Sequence, residues 1–286
     1  MTAAPIDPDT FRVESRKRWE DVAQGWERRA DSFAAATEPV TDWLLEALQL
    51  QPGQTIVELA AGIGEVGLKA AQQILPGGRV LITDGAEAMV KAAQARAEQA
   101  GIENIQTRTM EAEWIDLSAA TVDGIVCRWG YMLLADPEAA LRETRRVLKP
   151  GGRLALAAWA DRGHNPWLDL VSQALAGQGL AQPVPEGTPG PFSFAPEGVA
   201  FDLLAAAGFA DIEVGFVDFT VGASSTDDWW EHHNNQSVTL AAAISGISPK
   251  AHYELRDAFD AAYADYVGAD GAVSVPARAL VASASA

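Results

Sequence analysis

Four acidic residues, Glu58, Asp84, Glu111 and Glu113, each end or closely follow a short apolar run of the chain. In an open α/β sheet of parallel strands, ligands bind at the edge where the strands end. We therefore expect the four carboxylates to lie together at that edge. A carboxylate accepts hydrogen bonds from hydroxyl groups and attracts cations. The spacing predicts a site for a ligand that carries a ribose and a positive charge.

A glycine cluster stands between the first two acids of this series. Gly62, Gly64 and Gly67 follow the first apolar run, and an alanine-rich helical pattern then leads to a second run that ends in Asp84. This is the order of a strand, a loop, a helix and a strand, in which an acid about 20 residues on can bind a ribose diol. The glycines also match the dinucleotide pattern G-x-G-x-x-G, so a dinucleotide is one candidate ligand.

Two acids near this glycine cluster, Glu65 and Glu58, favour a different nucleoside ligand. Glu65 stands at the start of the first helix, where it complements the helix dipole and would repel a pyrophosphate. Glu58 lies inside the first strand, where a buried carboxylate is costly unless a cation or several donors satisfy it. A ligand with an ammonium, a sulfonium and a ribose suits these charges better than one with two phosphates. S-adenosylmethionine has these groups.

The elements that must position these residues alternate between strand and helix. Strands are predicted at 55–59, 80–84, 105–110, 122–128 and 153–159, with helices between most of them, and two later strands at 209–221 and 272–282. Such alternation indicates an α/β fold with a doubly wound, mostly parallel seven-stranded sheet of Rossmann-like type. Pro276 predicts an irregular or edge position for the last strand.

The remaining segments are predicted to cover this sheet. The domain prediction assigns a lid helix to 1–36, the cofactor-binding core to 37–160, a cap insertion to 161–198, a core continuation to 199–225, a helical cap to 226–268 and the last core strand to 269–286. Five prolines and five glycines in 177–198 predict irregular structure there. Two helices are expected in 226–267, separated near 246–249.

The N-terminal helix, expected over 11–35, carries two features. Trp19 and Trp26 are seven residues apart and share a face, which either packs on the core or closes over the ligand. Its bases are predicted to form an ordinary solvated face; they are Arg12, Arg16, Lys17, Arg18, Arg28 and Arg29.

Composition excludes several classes of partner. The chain has 286 residues, 39 acids against 21 bases and a net charge of -18, which argues against binding to nucleic acid. No apolar run is long enough to span a membrane, and the N-terminus lacks a secretion signal. A single cysteine, Cys127, fits a reducing compartment. A cytoplasmic protein without a membrane span is therefore expected.

The sequence resembles class I S-adenosylmethionine-dependent methyltransferases, most closely the small-molecule group around ubiquinone and menaquinone biosynthesis enzymes. The resemblance covers roughly residues 40–160. Segment 57–64 (VELAAGIG) is similar to the family's first motif, with Ala60 where a glycine is usual. Segments 110–113 (MEAE), 123–129 (DGIVCRW) and 146–154 (RVLKPGGRL) are similar to later motifs. The motifs occur in the family's order.

This resemblance implies a cofactor and its contacts. Asp84 would hold the ribose hydroxyls of S-adenosylmethionine, Met89 would contact the adenine, Glu111 would bond the adenine amino group, and Ala112 would contact the adenine ring through its backbone. The full cofactor set implied is Glu58, Ala60, Gly62, Gly64, Asp84, Met89, Glu111, Ala112, Glu113 and Arg128. The implied reaction is in-line transfer of a methyl group to a small, apolar or aromatic metabolite.

Such a displacement requires alignment and exclusion of water, but neither a covalent nucleophile nor a metal. A base could still remove a proton from the acceptor, and the candidates are His232, His233 and His164, each of which could instead be a packed, surface or turn residue. Candidate acceptor contacts are Trp19, Trp129, Trp229 and Trp230.

Several alternatives stay open. Arg128 could bind an anionic acceptor or pair with Glu113 or Asp136. The chain could be an NAD(P)-dependent oxidoreductase on a Rossmann sheet, or a methyltransferase-like protein that binds the cofactor without transferring the methyl group. The atom methylated and the oligomeric state, a homodimer included, are undetermined by the sequence.

Overall fold

The computed structural model describes residues 7–181 and 188–286. Residues 1–6 of the expected N-terminal segment and 182–187 of the expected irregular segment lie outside this description. The strands are β1 (Thr55–Glu58), β2 (Arg79–Asp84), β3 (Ile105–Thr109), β4 (Val122–Arg128), β5 (Leu148–Trp159), β6 (Ala210–Ala223) and β7 (Val273–Ser285). The α-helices are α1 (Pro8–Arg28), α2 (Ala30–Leu48), α3 (Glu65–Gln73), α4 (Glu87–Gln99), α5 (Pro137–Val147), α6 (Pro166–Gly177), α7 (Val199–Ala206), α8 (Thr226–Gln236), α9 (Val238–Ile244) and α10 (Pro249–Tyr263).

The seven strands form one sheet in the order β3-β2-β1-β4-β5-β7-β6. The first five strands of this order are parallel, and β7 runs antiparallel to both β5 and β6. Strands β1 and β4 lie at the centre and are almost wholly buried, as their apolar runs require of a sheet with helices on both faces. The predicted doubly wound α/β fold is confirmed.

Strand β7 lies inside the sheet, so the edge position predicted from Pro276 is wrong for the strand as a whole. The pairing with β5 covers only the second half of β7, from Ala279 to Ser285. At Pro276 the strand pairs with β6 alone, opposite Thr220. Pro276, which has no backbone N–H, therefore stands where β7 pairs with one strand only. A sheet tolerates proline at such a position. Strand β6 is the edge on this side of the sheet, and β3 is the opposite edge.

The N-terminal helices divide at a different residue from the one predicted. Helix α1 begins at Pro8, where Asp7 accepts a hydrogen bond from the Thr10 N–H at 2.9 Å, a normal N-cap. The chain breaks at Arg29, and α2 then continues without a gap and packs on β5 and β6. The helix expected over 11–35 is thus two helices, because helical composition extends across the break and hides it.

The helical cover is also richer than expected. Helix α6 occupies part of the 161–198 segment and packs against α10 and β7, although no helix was predicted there. The 226–267 segment forms three helices rather than two, because Ser237 caps α9 by accepting from the Leu240 N–H at 3.1 Å. Across residues 7–181 and 188–286, no helix combines the length and the apolar character that crossing a bilayer requires.

Candidate functional site

A cleft opens at the ends of β1, β2 and β4, beneath helix α1, with a cavity volume of about 160 Å³. One half of its lining is acidic and comes from the strand ends. The other half is aromatic and comes from α1, α2 and the residues after β4. Five acids contribute to the lining, and they are Glu58, Glu65, Asp84, Glu111 and Glu113. The acids predicted to converge at this edge of the sheet do so.

Asp84 ends β2 and is fixed by backbone donors. Its carboxylate accepts hydrogen bonds from the N–H groups of Gly62 and Ala86, each at 2.8 Å. Burial against the cleft floor raises the pKa of Asp84 to about 6. Each carboxylate oxygen can accept a second hydrogen bond, so both can still receive a hydroxyl group of a ligand.

Glu58 ends β1 and is almost fully buried, with 2% of its surface exposed. It accepts a hydrogen bond from the Gly67 N–H at 2.7 Å. A Cβ atom at residue 67 would stand 2.6 Å from this carboxylate, so the glycine is needed for the contact. Burial raises the pKa of Glu58 to about 8. A cation in the cleft would favour the ionised form of this carboxyl group.

Arg128 and Glu65 form a buried pair at the boundary between the two halves. The guanidinium donates to both Glu65 oxygens at 3.1 and 2.7 Å, and also to the hydroxyls of Thr37 and Thr41 at 2.9 and 2.7 Å. The predicted pairing of Arg128 with Glu113 or Asp136 is wrong, because α2 and α3 bring closer partners. Glu65 is therefore neutralised, and its expected repulsion of phosphate is weaker than the sequence indicates.

Helix α1 covers the acidic half through two arginines. Arg12 bonds Glu113, which also accepts from the backbone N–H of Asp136 at 2.7 Å. Arg16 bonds one oxygen of Glu111 at 3.1 and 2.5 Å. The solvated face predicted for these bases is wrong at Arg12, whose side chain is 17% exposed, because its partner lies on a distant segment.

The other end of α1 rests on helix α8. A Cβ atom at Gly25 would lie 1.9 Å from the backbone oxygen of Asn235, so the two helices meet with their backbones in contact. Arg28 bonds the side chain of Asn235 at 2.9 and 2.5 Å, and Arg29 bonds Asp228. Arg29 is thus partly buried beside its partner, while Arg28, Lys17 and Arg18 are exposed as predicted.

The aromatic half is a series of rings in contact. Phe33 lies 5.0 Å from Trp26 and 5.6 Å from Trp129, measured between ring centroids, and Trp19 lies 6.1 Å from Trp26. Trp129 is stacked on Trp159 at 4.3 Å. Trp19 and Trp129, both predicted to contact an acceptor, line the cleft.

Ala60 occupies the position where the resembling family usually has glycine, and its backbone shows why. Its φ of 48° lies in the left-handed region, which favours glycine. Its methyl group faces Gly130, where an added Cβ atom would lie 2.5 Å from the Cβ of Ala60. The loop after β4 therefore has a glycine opposite the alanine.

The structure brings eight of the ten predicted cofactor residues to the cleft. Gly64 and Ala112 are absent from its lining. Gly64 has a φ of 79° and caps α3 with its Cα against Ile82 and Ala93, so it shapes the turn. Ala112 is buried.

The three histidines proposed as bases do not reach the cleft, and neither do Trp229 and Trp230. His164 lies in a turn after β5 and bonds Asp161 at 2.7 Å with about half of its side chain exposed. His232 and His233 lie on α8, with 3% and 2% of their surfaces exposed. Burial lowers the pKa of His232 to about 4 and also lowers the pKa of His233 well below its ordinary value. Both rings are neutral near pH 7.

Sequence reasoning missed several residues that line the cleft, among them Phe11, Arg12, Arg16 and Phe33, and it left Trp26 and Glu65 out of the predicted contact residues. Trp26 was already placed on the face of Trp19, so the same periodicity could have found it. The only sequence signal for Arg12 and Arg16 is that acids of opposite charge lie elsewhere in the chain. Within residues 7–181 and 188–286, no three His, Cys, Asp or Glu side chains are grouped to hold a metal ion.

Comparison with known proteins agrees with this geometry. Residues 56–152 match a family described as a methyltransferase domain. The chain is 40% identical over 104 residues to the ubiquinone/menaquinone biosynthesis C-methyltransferase UbiE of Acidiphilium cryptum. These aligned residues make up 36% of this chain and 41% of that protein. The chain is 28% identical over 200 residues to the nocamycin O-methyltransferase of Saccharothrix syringae, covering 66% of this chain and 71% of that protein.

The fold has a counterpart among solved structures. The YcgJ protein from Bacillus subtilis superposes with a TM-score of 0.59 over 86% of this chain and 97% of that one, at 16% identity. This chain spans less than half the length of the ubiquinone/menaquinone relatives that it matches. The chain therefore carries a methyltransferase domain at 56–152 and, over part of its length, is similar to ubiquinone/menaquinone biosynthesis C-methyltransferases.

Proposed function

We propose that this chain is an S-adenosylmethionine-dependent methyltransferase that acts on a small apolar or aromatic metabolite. The observation that carries this proposal is one cleft with an acidic floor for a cationic nucleoside and an adjoining aromatic wall for an acceptor. The methyltransferase domain at 56–152 contains most of the floor. The wall comes largely from α1 and α2, outside that domain.

The residues of the floor fit the cofactor. Asp84 has acceptor capacity left for ribose hydroxyls after its two backbone hydrogen bonds. Glu111 binds Arg16 through one oxygen, so its other oxygen can accept from the adenine amino group. Met89 lines the cleft from α4. Glu58 is a buried carboxyl group that a neighbouring ammonium or sulfonium would stabilise in its ionised form.

When bound, the cofactor supplies a methyl group on a positively charged sulfur, which an acceptor displaces in line. The protein must hold the two partners at near-attack distance and exclude water. The strand ends fix the cofactor side through backbone donors. Helix α1 closes the cleft with Trp19 and Trp26 toward the acceptor side and its arginines toward the floor.

The aromatic wall supports an apolar or aromatic acceptor. Trp129 and Phe33 lie at the boundary with the floor, with 5.6 Å between their ring centroids. Aromatic rings generally pack with about 4.5–7 Å between centroids, so an acceptor ring can pack on these two in the same way. Arg128 supports an anionic acceptor less well, because its charge is already paired with Glu65 and it also donates to two threonine hydroxyls.

The charges of the floor do not favour a nicotinamide dinucleotide. A pyrophosphate bound at the start of α3 would lie in a cleft lined by five acids and three arginines, and each of the arginines pairs with one of those acids. No lining base is left over to compensate the phosphates. The cationic cofactor needs no such compensation.

Parallel calorimetric titrations with S-adenosylhomocysteine and with NADH test the proposal. We expect saturable binding of the first and none of the second under the same conditions. Tight binding of NADH without a response to S-adenosylhomocysteine would reject it. Transfer of an isotopically labelled methyl group to a panel of phenols, quinols and terpenoids would then identify the acceptor class.

A further inference from the structure

Helix α8 and its packing partners contain an unusual group of buried polar side chains. Within the described parts of the chain, nine buried side-chain nitrogen and oxygen atoms have no hydrogen-bond partner. Six of the nine belong to Trp167, Trp229, His232, His233 and Gln236, which we call the α8 polar cluster. The other two tryptophans among the nine, Trp26 and Trp129, line the cleft. The unpartnered atoms are thus concentrated in one region.

This concentration has an energetic meaning. A buried donor or acceptor without a partner loses its hydrogen bonds to water and gains none in return, and native proteins leave few such groups unexplained. His232 and His233 each bury an unpartnered Nε2 atom, and Gln236, one helical turn further along α8, leaves both ends of its amide unpartnered. A cluster that combines these costs at one place is typical of a site whose polar groups are satisfied by a ligand.

The cluster is separated from the cleft by one aromatic ring. Phe33 lines the cleft on one side, and its ring centroid lies 6.4 Å from that of His232 on the other. His232 is in turn stacked on Trp229 at 5.1 Å, and Trp167 lies 6.2 Å from His232. The aromatic wall of the cleft therefore continues past Phe33 without interruption into the cluster.

The groups of the cluster define the chemistry of an occupant. Neutral imidazoles and an amide offer both donors and acceptors, while the indoles offer donors and flat faces. The nearby charges, Arg29 and Asp228, are paired with each other. These groups suit the hydroxyl or carbonyl oxygen of a neutral planar ring, and they offer no free charge to an ionic ligand.

We propose that the α8 polar cluster is the inner end of the acceptor pocket and takes the oxygen-bearing edge of a neutral ring when Phe33 turns aside. The inference rests on the proposed function, because it extends the acceptor half of the same cleft. Helix α8 is joined to the cover by the backbone contact of Gly25 with Asn235 and by Arg29, so opening of α1 acts on the cluster directly.

A matched pair of probes tests this inference. 2-Naphthol and naphthalene have the same ring system, and only the first has a hydroxyl group. Their dissociation constants are measured by quenching of tryptophan fluorescence, with the protein saturated with S-adenosylhomocysteine and also without it. The ratio of the two constants isolates the hydroxyl contribution from that of the ring.

We expect His232→Phe and His233→Phe each to shift this ratio against 2-naphthol by about fivefold to tenfold, the effect of one lost hydrogen bond. His252→Phe is the matched control, since His252 lies beside Trp230 outside the cluster, and it should leave the ratio unchanged. Phe33→Ala removes the ring that separates the cleft from the α8 polar cluster and should tighten the binding of 2-naphthol. This variant keeps the inference testable if the histidine variants do not fold.

An unchanged ratio in both histidine variants, or no binding of 2-naphthol to the wild type and Phe33→Ala proteins, would overturn the inference. The cluster would then hold only packed side chains or ordered water. Failure of the proposed function has a different signature, because S-adenosylhomocysteine itself would not bind while the naphthol ratios still report on the cluster.

Discussion

The floor and the cover of the cleft are held by different kinds of contact. On the floor, backbone N–H groups bind carboxylates of neighbouring strand ends, as Gly62 does with Asp84 and Gly67 does with Glu58. In the cover, α1 is held by side chains of distant segments, with Arg12 on Glu113 and Arg16 on Glu111. Backbone donors already held in a turn or a helix lose little entropy when they bind, whereas long side chains lose more. The difference indicates a fixed cofactor site under a helix that can open.

The largest expected effect is on the floor. Gly67→Ala places a methyl group against the Glu58 carboxylate and Ile82, at 2.6 and 2.8 Å, which should lower the free energy of unfolding by about 1–3 kcal/mol. Urea unfolding measures this loss. Gly177→Ala is the control, because nothing lies within 4 Å of that added methyl group in α6, and it should not destabilise the protein. Equal midpoints for the two variants would contradict the close contact.

Asp84→Ala tests whether the fixed floor binds the ribose. Losing hydrogen bonds to a charged carboxylate should weaken the binding of S-adenosylhomocysteine by about 1–3 kcal/mol, or roughly fivefold to 150-fold in dissociation constant. Calorimetry measures the change. Asp116→Ala removes an exposed acid from outside the cleft and should change nothing. A dissociation constant that does not move in the first variant would reject the ribose assignment.

The pH dependence of stability and of ligand binding also tests the role of Asp84. The pKa of Asp84 is about 6 in the folded protein and 3.8 ordinarily, so the folded state binds more protons between these values and its stability falls as pH rises through that window. A ligand whose hydroxyls donate to the ionised carboxylate should bind up to about tenfold more tightly at pH 7 than at pH 5.

Asp84→Asn should remove this rise in affinity near pH 6. A second rise toward pH 8 should remain in the variant, because the pKa of Glu58 is about 8 and the ammonium group of S-adenosylhomocysteine favours its ionisation. Titrations of S-adenosylhomocysteine from pH 5 to pH 8.5 distinguish the two steps. An affinity that is flat across this range in the wild type would contradict both carboxylate assignments.

A smaller effect is expected in the cover. The double variant Arg12→Gln and Arg16→Gln removes the two contacts of α1 with the floor acids. The partly exposed Arg16 pair contributes up to about 1 kcal/mol, and loss of the more buried Arg12 pair costs more, so stopped-flow exchange of S-adenosylhomocysteine should accelerate at least a few-fold while the sheet stays folded. Raising the salt concentration should accelerate exchange in the wild type more than in the variant.

Lys17→Gln is the control for this change, because Lys17 is exposed on the same helix. Exchange rates that are equal in the double variant and the wild type would show that α1 does not open through these pairs. The cover would then be held as firmly as the floor.

The smallest effect is expected at Ala60. Its left-handed backbone costs about 1–2 kcal/mol in a residue with a side chain, whereas glycine adds about 0.5–1 kcal/mol of conformational entropy to be lost on folding. Ala60→Gly should therefore stabilise the protein by under about 1 kcal/mol, read from the unfolding midpoint. A lower midpoint would mean that the contact of the methyl group with Gly130 matters more than the backbone conformation.

The sequence was sufficient for the floor because its residues lie in contiguous segments. The mostly parallel sheet, the turn at Gly62 and the convergence of Asp84 with Glu111 follow from alternation and from one sheet edge. Gly64 and Ala112 do not line the cleft, because Gly64 caps α3 and the Ala112 side chain is buried, and the backbone contact expected of Ala112 stays a prediction.

The cover was harder to predict because its contacts join residues far apart in the chain. Arg12 and Glu113 are 101 positions apart, and Arg28 and Asn235 are 207 positions apart. Helical periodicity gave the aromatic face of α1 but not the elements on which it rests. The burial of His232 and His233 depends on α6 and α10, of which α6 carried no signal in the sequence.

A crystal structure of the complex with S-adenosylhomocysteine tests the central claim most directly. The account predicts the ribose hydroxyls within hydrogen-bond distance of the Asp84 carboxylate, the adenine beside Met89 and Glu111, and the sulfur directed toward Phe33 and Trp129. A ligand whose ribose lies elsewhere, or whose sulfur points away from the aromatic half of the cleft, would contradict it.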